Sequence, residues 1–243
     1  MPLSRRRLVV LGLTLPVLGA WTPVAAQQQP DWLRGELDPD PGSVFGLDPS
    51  VAAEVLLPAT RDDALPDGYT PRDLVSAASS GIPANGRQLL RALIVDDTRA
   101  MVQEADALGH ELYVGSGFRS QAYQLDVFAA QTARWGDEET ANRYSARAGH
   151  SQHQLGTTLD FTSVFRAFRG SDTALWVSEN AHRFGFVLPY TPASSPLTGY
   201  IDEPWHARWV GARLASQLQA LGYQSWTDST VDAAIARVRA AIG

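Results

Sequence analysis

The stretch from residue 149 to residue 161 constrains this chain more than any other, because it places a carboxylate in the middle of a predicted strand. Gly156 predicts a bend, and residues 157–162 show the β-branched, alternating pattern of a strand. Asp160 lies inside that strand, where a carboxylate is costly to bury unless it is paired or binds a metal. His153 precedes the bend and can fold back to meet Asp160. The two are candidate metal ligands, and the alternative is a surface Asp beside a solvated His.

A second segment, residues 202–206, supplies further candidates. Pro204 suits the first position of a helix, so Glu203 and His206 are expected to face the same point from a helix start. His206 then becomes a third ligand and Glu203 a catalytic base. Two His and one carboxylate, with a fourth position left open, are typical of a catalytic zinc site. The alternative is an ordinary helix N-terminus with Trp205 packed in the core.

Composition limits the possible chemistry. A chain of 243 residues with 44% hydrophobic content favours one catalytic domain. All 20 basic residues are Arg, which excludes a Ser-Lys dyad, a Schiff-base lysine and a P-loop. The absence of Cys excludes thiol catalysis, disulfides and thiolate zinc sites. The formal net charge is -6, and it becomes -9 if the arginine-bearing segment 1–26 is removed, which argues against nucleic acid or an anionic surface as a partner. We also expect a monomer.

Residues 1–26 have the pattern of a secretory signal: arginines at 5–7, an apolar stretch and a small-residue cleavage site. We therefore expect export to the periplasm or cell-wall space, with the paired Arg compatible with the twin-arginine route, and no stable membrane span after cleavage. The alternative is an uncleaved anchor. Removal of this segment would take the net charge from -6 to -9. Residues 27–54 are interpreted as a linker or N-terminal arm, and 55–243 as the catalytic domain.

The remaining pattern alternates short strands with amphipathic helices. The predicted helices are 86–108, 121–135, a short one within 176–186, one from 209 to 221 and one at 231–242. The predicted strands are 111–116 and 185–190. In the helix 121–135, Tyr123, Val127 and Phe128 are expected to face inward, and Ser120 is a natural N-cap.

Arg119 stands where the strand 111–116 ends and the helix 121–135 begins. A guanidinium beside the free amides of a helix N-terminus favours an anion. The alternative is a surface Arg in a salt bridge.

Three motifs occur in order along the chain: Ser-Gly-Phe-Arg-Ser at 116–120 with Gln124, Ser-x-His-x-x-Gly-x-x-x-Asp at 151–160, and Glu-Pro-Trp-His at 203–206. Together they resemble the bacterial D-alanyl-D-alanine carboxypeptidase family of the vancomycin-resistance type, which also contains L,D-carboxypeptidases and D-Ala-D-Ala dipeptidases. The resemblance covers roughly residues 55–222.

The resemblance implies an α+β fold in which a small antiparallel sheet carries the zinc site and helices flank it, as in hedgehog-type and D-Ala-D-Ala-peptidase domains. It implies Zn²⁺ held by His153, Asp160 and His206, and catalysis by Glu203 as base, with Arg119 steadying the reacting carbonyl. It also implies a substrate pocket that includes Ser116, Gln124 and Ser151.

The implied activity is zinc-dependent removal of a terminal D-alanine from peptidoglycan stem peptides, with D,D- and L,D-specificity both open. The alternatives are a D-Ala-D-Ala dipeptidase, a stem-peptide endopeptidase, and a non-catalytic zinc domain that binds the wall or a partner. Two departures bear on specificity: Gln152 stands where the family usually has an acid, and residues 187–190 lack an Arg that the family often carries there.

Overall fold

The structure is a computed structural model that describes residues 47–162, 165–225 and 229–242. Its helices are α1 Pro49–Val55, α2 Val95–Ala107, α3 Gln121–Trp135, α4 Glu138–Ala141, α5 Phe165–Phe168, α6 Asp172–Asn180, α7 Ser195–Thr198, α8 Ala212–Ala220 and α9 Val231–Ile242. Its strands are β1 Leu74–Ser76, β2 Leu89–Arg91, β3 Thr158–Asp160, β4 Phe186–Val187 and β5 His206–Trp209.

A three-stranded antiparallel sheet in the order β3-β5-β4 forms the centre of the fold. Its register pairs Asp160 with His206 and Leu159 with Ala207. Directly opposed residues of an antiparallel pair project from the same face. The register therefore brings two of the predicted ligands together on one face of the sheet.

The sheet extends at its β3 edge through the segment that contains Ser116. The amide of Asp160 donates to the carbonyl of Ser116 at 2.8 Å, and the amide of Gly115 donates to the carbonyl of Asp160 at 2.7 Å. Strands β1 and β2 form a separate antiparallel pair, joined to the site through the amide of Arg91, which donates to the carbonyl of Gly156 at 3.0 Å. Helices flanking small antiparallel sheets confirm the expected α+β fold.

The core lies beneath the central sheet. Leu159 and Phe161 are fully buried there, and Phe161 meets Phe186 edge to face with ring centroids 5.5 Å apart. The opposite face of β3 is also covered, since Thr158 and Asp160 are buried. Strand β3 is therefore sandwiched between the apolar core and the polar floor of a cavity, so the surface-Asp alternative does not hold.

The predicted helix start at residue 204 is wrong. Residues 204–205 form a turn and His206 opens strand β5, where Ala207 and Trp209 pack into the core. Pairing with strands on both sides outweighs the Pro signal, because strand formation depends strongly on packing context. The predicted proximity survives for a different reason: the amide of His206 donates to the carbonyl of Glu203 at 3.0 Å, which closes a turn between them.

Other local differences have similar causes. The predicted helix at 209–221 begins only at Ala212, and the predicted helix from 86 begins at Val95 after β2. Residues 111–116 form isolated bridges rather than a strand. Tyr123 is 57% exposed, whereas Phe128 is buried as expected. The N-cap is as predicted, since the side chain of Ser120 accepts from the amide of residue 123 at 3.2 Å.

Helix α1 crosses the boundary predicted between arm and domain at residue 55. Ala52 and Val55 are fully buried in the core, and α1 packs against α9. The predicted signal at 1–26 and most of the arm lie outside the described residues. Within the described ranges, no helix combines the length and apolar character needed to cross a bilayer.

Candidate metal centre

Three buried side chains converge on one point at the face of the sheet. Oδ1 of Asp160 lies 3.4 Å from Nε2 of His153 and 3.4 Å from Nδ1 of His206. The three candidate ligand atoms all lie within 4.8 Å of one another. The residues predicted as ligands from two separate segments thus form a single cluster.

The cluster fits a metal ion by two independent criteria. Nε2 of His153 and Oδ1 of Asp160 are buried without a hydrogen-bond partner among the described residues, although buried polar atoms are rarely left unpaired. A tetrahedral centre with ligand distances of about 2.1 Å also places its ligand atoms roughly 3.4 Å apart, which is the spacing of Asp160 from each His. The unpaired buried atoms and their spacing fit a tetrahedrally coordinated ion such as zinc.

His153 is oriented by local backbone. Its Nδ1 donates to the carbonyl of Gly117 at 2.8 Å, which leaves the lone pair of Nε2 directed at Asp160. The bend that returns the chain requires Gly156, whose φ is +68° and whose Cβ would meet Arg91 and Leu74 side-chain atoms at 3.0 Å. Local turn chemistry therefore sets the first ligand.

Burial and neighbouring charges favour a neutral imidazole beside an ionised carboxylate. Burial, reinforced by Arg119, lowers the pKa of His153 to about 4. Burial alone would raise the pKa of Asp160, but His153 and His206 outweigh it and hold that pKa below its ordinary value. A neutral His and a carboxylate are the forms that bind metals.

Glu203 lies beside the ligands. Its Oε2 is 3.6 Å from Nδ1 of His206. Burial, reinforced by the charge of Asp160, raises the pKa of Glu203 to about 8, while Arg119 opposes the shift. A carboxylate whose pKa has risen this far is able to accept and return a proton near neutral pH.

Arg119 faces the same centre. Burial lowers its pKa, and the charges of Asp160 and Glu203 oppose that effect. Its Nε is buried without a hydrogen-bond partner among the described residues. The surface salt-bridge alternative does not hold, and the guanidinium has a donor available for a carbonyl or carboxylate oxygen.

The centre forms the floor of a cavity of about 990 Å³. Ser116 and Ser151 line it, as the resemblance implied. Gln124 is fully buried and does not line it; its Nε2 donates to Oγ of Ser145 at 3.1 Å and to the carbonyl of Ala146 at 2.6 Å. Gln124 therefore supports two residues of the cavity wall from behind.

Sequence patterns did not reveal two parts of the site. Aromatic side chains line the cavity at Tyr190, Tyr200 and Trp205, none of which was predicted as a site residue. Behind His206, Oε1 of Gln152 accepts from Nε2 at 3.1 Å, and Gln152 in turn contacts Asp232. The amide at residue 152, in place of the usual acid, was the one sequence feature that hinted at this contact. The helix at 231–242 was predicted, but no local pattern linked it to the site.

The fold and the site define the class: an α+β domain in which a His-Asp-His cluster that could hold a metal ion lies on an antiparallel sheet beside a buried carboxylate. Residues 87–212 match VanY, D-alanyl-D-alanine carboxypeptidase. This match spans more than half of the chain, and the chain belongs to the VanY family.

Individual relatives agree with this assignment. The protein YodJ of Bacillus subtilis is 31% identical over 173 residues, which cover 68% of this chain and 63% of YodJ. The chain thus spans just under two thirds of that relative's length. The LdcB LD-carboxypeptidase structure superimposes with a TM-score of 0.62 at 29% identity, over 74% of this chain and 88% of LdcB. The D,D-pentapeptidase VanY from a VanB-type resistance cassette, solved with Zn(II), gives a TM-score of 0.60 at 25% identity, over 70% of this chain and 95% of that one.

Proposed function

We propose that this chain is a zinc-dependent carboxypeptidase that removes a terminal D-alanine from peptidoglycan stem peptides. The observation that carries the proposal is the common position of three metal-fitting atoms, the Glu203 carboxylate and an unpaired Arg119 donor on one cavity floor. Two imidazoles and one carboxylate at tetrahedral spacing suit zinc with one position left open. Relatives named as carboxypeptidases support the reaction class.

The residues divide the work of hydrolysis between them. When bound, zinc would act as a Lewis acid on the scissile carbonyl and lower the pKa of the attacking water. Its positive charge would also lower the pKa of Glu203 from about 8 toward neutrality. Glu203 takes the proton of the water as it attacks and returns it to the leaving amine. Arg119 binds the carbonyl oxygen as negative charge develops there, and losing one such donor costs about 3 kcal/mol of barrier.

The cavity lining supports an anionic peptide as substrate. Although the chain carries a net charge of -6, Arg87, Arg134 and Arg166 join Arg119 in the lining. Such a wall attracts carboxylates, which a stem peptide carries at its terminus. Peptidoglycan lies outside the cytoplasmic membrane, so the proposed activity is consistent with the export predicted from residues 1–26.

Replacement of the base tests the proposal. Zinc-loaded Glu203→Gln should release D-alanine from purified muropeptides about 100-fold to 10,000-fold more slowly than wild type, because the amide cannot accept the proton. Its zinc content should remain near that of wild type, since Glu203 is not among the three clustered ligands. Glu111→Gln, an exposed change outside the cavity, is the matched control and should leave the rate unchanged.

The products, measured by mass spectrometry, separate the alternatives. Loss of one alanine from a pentapeptide or a tetrapeptide indicates D,D- or L,D-carboxypeptidase activity, and cleavage of free D-Ala-D-Ala indicates a dipeptidase. An internal cut indicates an endopeptidase. Zinc and peptide binding without any cleavage by wild type would instead favour a non-catalytic binding domain.

A further inference from the structure

A chain of buried side chains connects His206 with the C-terminal helix α9. Nε2 of His206 is 3.1 Å from Oε1 of Gln152, and Nε2 of Gln152 is 3.0 and 3.1 Å from the two carboxylate oxygens of Asp232. Asp232 is also bound by Nη1 of Arg208 at 2.8 Å. All four side chains are buried, with Arg208 at 0% exposure. Asp232 lies 20 residues beyond the segment that matches the family.

The donor and acceptor chemistry gives this chain a single direction. A carboxylate only accepts hydrogen bonds, so the side of Gln152 that faces Asp232 must be its NH₂ group. The carbonyl of Gln152 must then face His206, whose Nε2 must carry the proton. Nδ1 of His206 is left with a lone pair directed at Asp160 and the metal centre.

Burial raises the pKa of Asp232, and the charge of Arg208 opposes that rise. A buried carboxylate is tolerated only when it is paired, and Arg208 supplies the opposite charge at 2.8 Å. Arg208 is itself held in place, because its Nη2 donates to the carbonyls of Val55 and Leu57 at the end of α1. The pair is anchored to three elements: α1, β5 and α9.

We propose that Asp232 is a positioning residue for the metal centre, which acts through the Gln152 amide to hold His206 in the tautomer and orientation that present Nδ1 to zinc. The arrangement extends the common carboxylate–histidine–metal contact by one amide. Gln152, which departs from the acid expected at this position, thus has a carboxylate behind it. This inference rests on the proposed zinc site but makes a separate claim about residues outside the family match.

Two single variants of the full chain test the relay through zinc affinity, measured by competition with a chelator. In Asp232→Asn the neutral amide no longer dictates which way the Gln152 amide points, so the zinc dissociation constant should rise about 10-fold to 100-fold. Gln152→Met keeps the Asp232–Arg208 ion pair and removes the hydrogen bonds of Gln152 to both His206 and Asp232, and it should show a loss in the same range. If Asp232→Asn fails to fold, Gln152→Met decides.

Rescue separates positioning from general stability. In Gln152→Glu combined with Asp232→Asn, a carboxylate at 152 accepts directly from His206, the amide at 232 donates to that carboxylate, and the total charge is conserved. We expect zinc affinity to return to within about threefold of wild type. The control is Glu54→Gln, which breaks the ion pair between Oε2 of Glu54 and Nη2 of Arg91, 3.0 Å apart. It should lower the melting temperature without changing zinc affinity.

The outcomes are distinguishable. Single variants that bind zinc within twofold of wild type would overturn the relay, whatever their melting temperatures. So would a double variant that recovers the wild-type melting temperature while binding zinc as weakly as Asp232→Asn. A wild-type protein that binds no zinc would overturn the proposed function, and the relay with it.

Discussion

The two histidines of the candidate metal centre differ in what orients them. His153 is oriented by a backbone carbonyl, that of Gly117, at 2.8 Å. His206 is oriented by side chains alone, through Gln152 to a carboxylate on helix α9. The backbone contact survives most side-chain substitutions because every residue has a carbonyl, whereas the relay depends on the identity of each member. The contact that orients His153 is therefore local and insensitive to side-chain identity. The contacts that orient His206 depend on particular side chains that are distant in sequence.

Removal of either histidine should weaken zinc binding to a similar extent, and this loss of affinity is the largest effect that we expect. His153→Ala and His206→Ala each remove one of three protein ligands, so zinc affinity should fall by more than about 100-fold, beyond the effect of an outer partner. Equilibrium dialysis followed by metal analysis measures this. His182→Ala, outside the cavity, is the control. Wild-type affinity in either ligand variant would remove that residue from the centre.

The backbone side can be disturbed only by moving the backbone. A Cβ at residue 117 would lie 2.2 Å from the carbonyl oxygen of Leu89, so Gly117→Ala must shift the carbonyl that holds His153. We expect about a tenfold loss of zinc affinity. Gly136→Ala strains a φ of +87° in open space, and should cost stability without affecting zinc. Equal zinc affinities in the two variants would show that the carbonyl of Gly117 does not orient His153.

The smallest effect that we expect is on the pH dependence of the melting temperature of the zinc-free protein. Glu203, beside His206, has a pKa of about 8 when folded and near 4.5 when unfolded, so the folded state holds its proton more tightly. Its contribution to stability is complete below pH 4.5 and is lost as pH rises through 8. Glu203→Gln, which never ionises, should therefore gain on wild type by a few degrees of melting temperature between pH 5 and pH 8.5.

The His153 side should respond to pH in the opposite direction. Its pKa is about 4 when folded and near 6.5 when unfolded, so wild type loses this contribution as pH falls from 6.5 through 4. Thermal melts of both chelator-treated proteins from pH 4 to pH 9 check both trends. A melting-temperature difference between Glu203→Gln and wild type that does not change with pH would contradict the assignment for Glu203.

Several features of the site were predictable because they depend on short segments. The bend at Gly156 and the strand after it follow from local backbone preferences, and they return His153 to Asp160. The contact between Glu203 and His206 was predicted for the wrong reason. A separation of three residues brings side chains together in a helix start and also in a tight turn, so the proximity held although the element is a strand.

Other features were not predictable because their causes are distant in sequence. Tyr123 was expected to face inward from its spacing, yet it is 57% exposed at the cavity. No sequence pattern linked α9 to the site, because an acid such as Asp232 is common in the first turn of a helix. Gln124 matched a pocket position but supports the wall instead.

The sequence by itself determined the family and the α+β class and predicted the candidate ligands and the candidate base, because motif chemistry and local turn preferences depend on consecutive residues. The tertiary structure alone decided that Asp160 and His206 stand opposite each other in register, and that Asp232 lies behind Gln152, 80 residues away. Pairing across a sheet and the docking of a terminal helix result from burying apolar surface over the whole chain. No local pattern specifies which distant side chains that burial brings into contact.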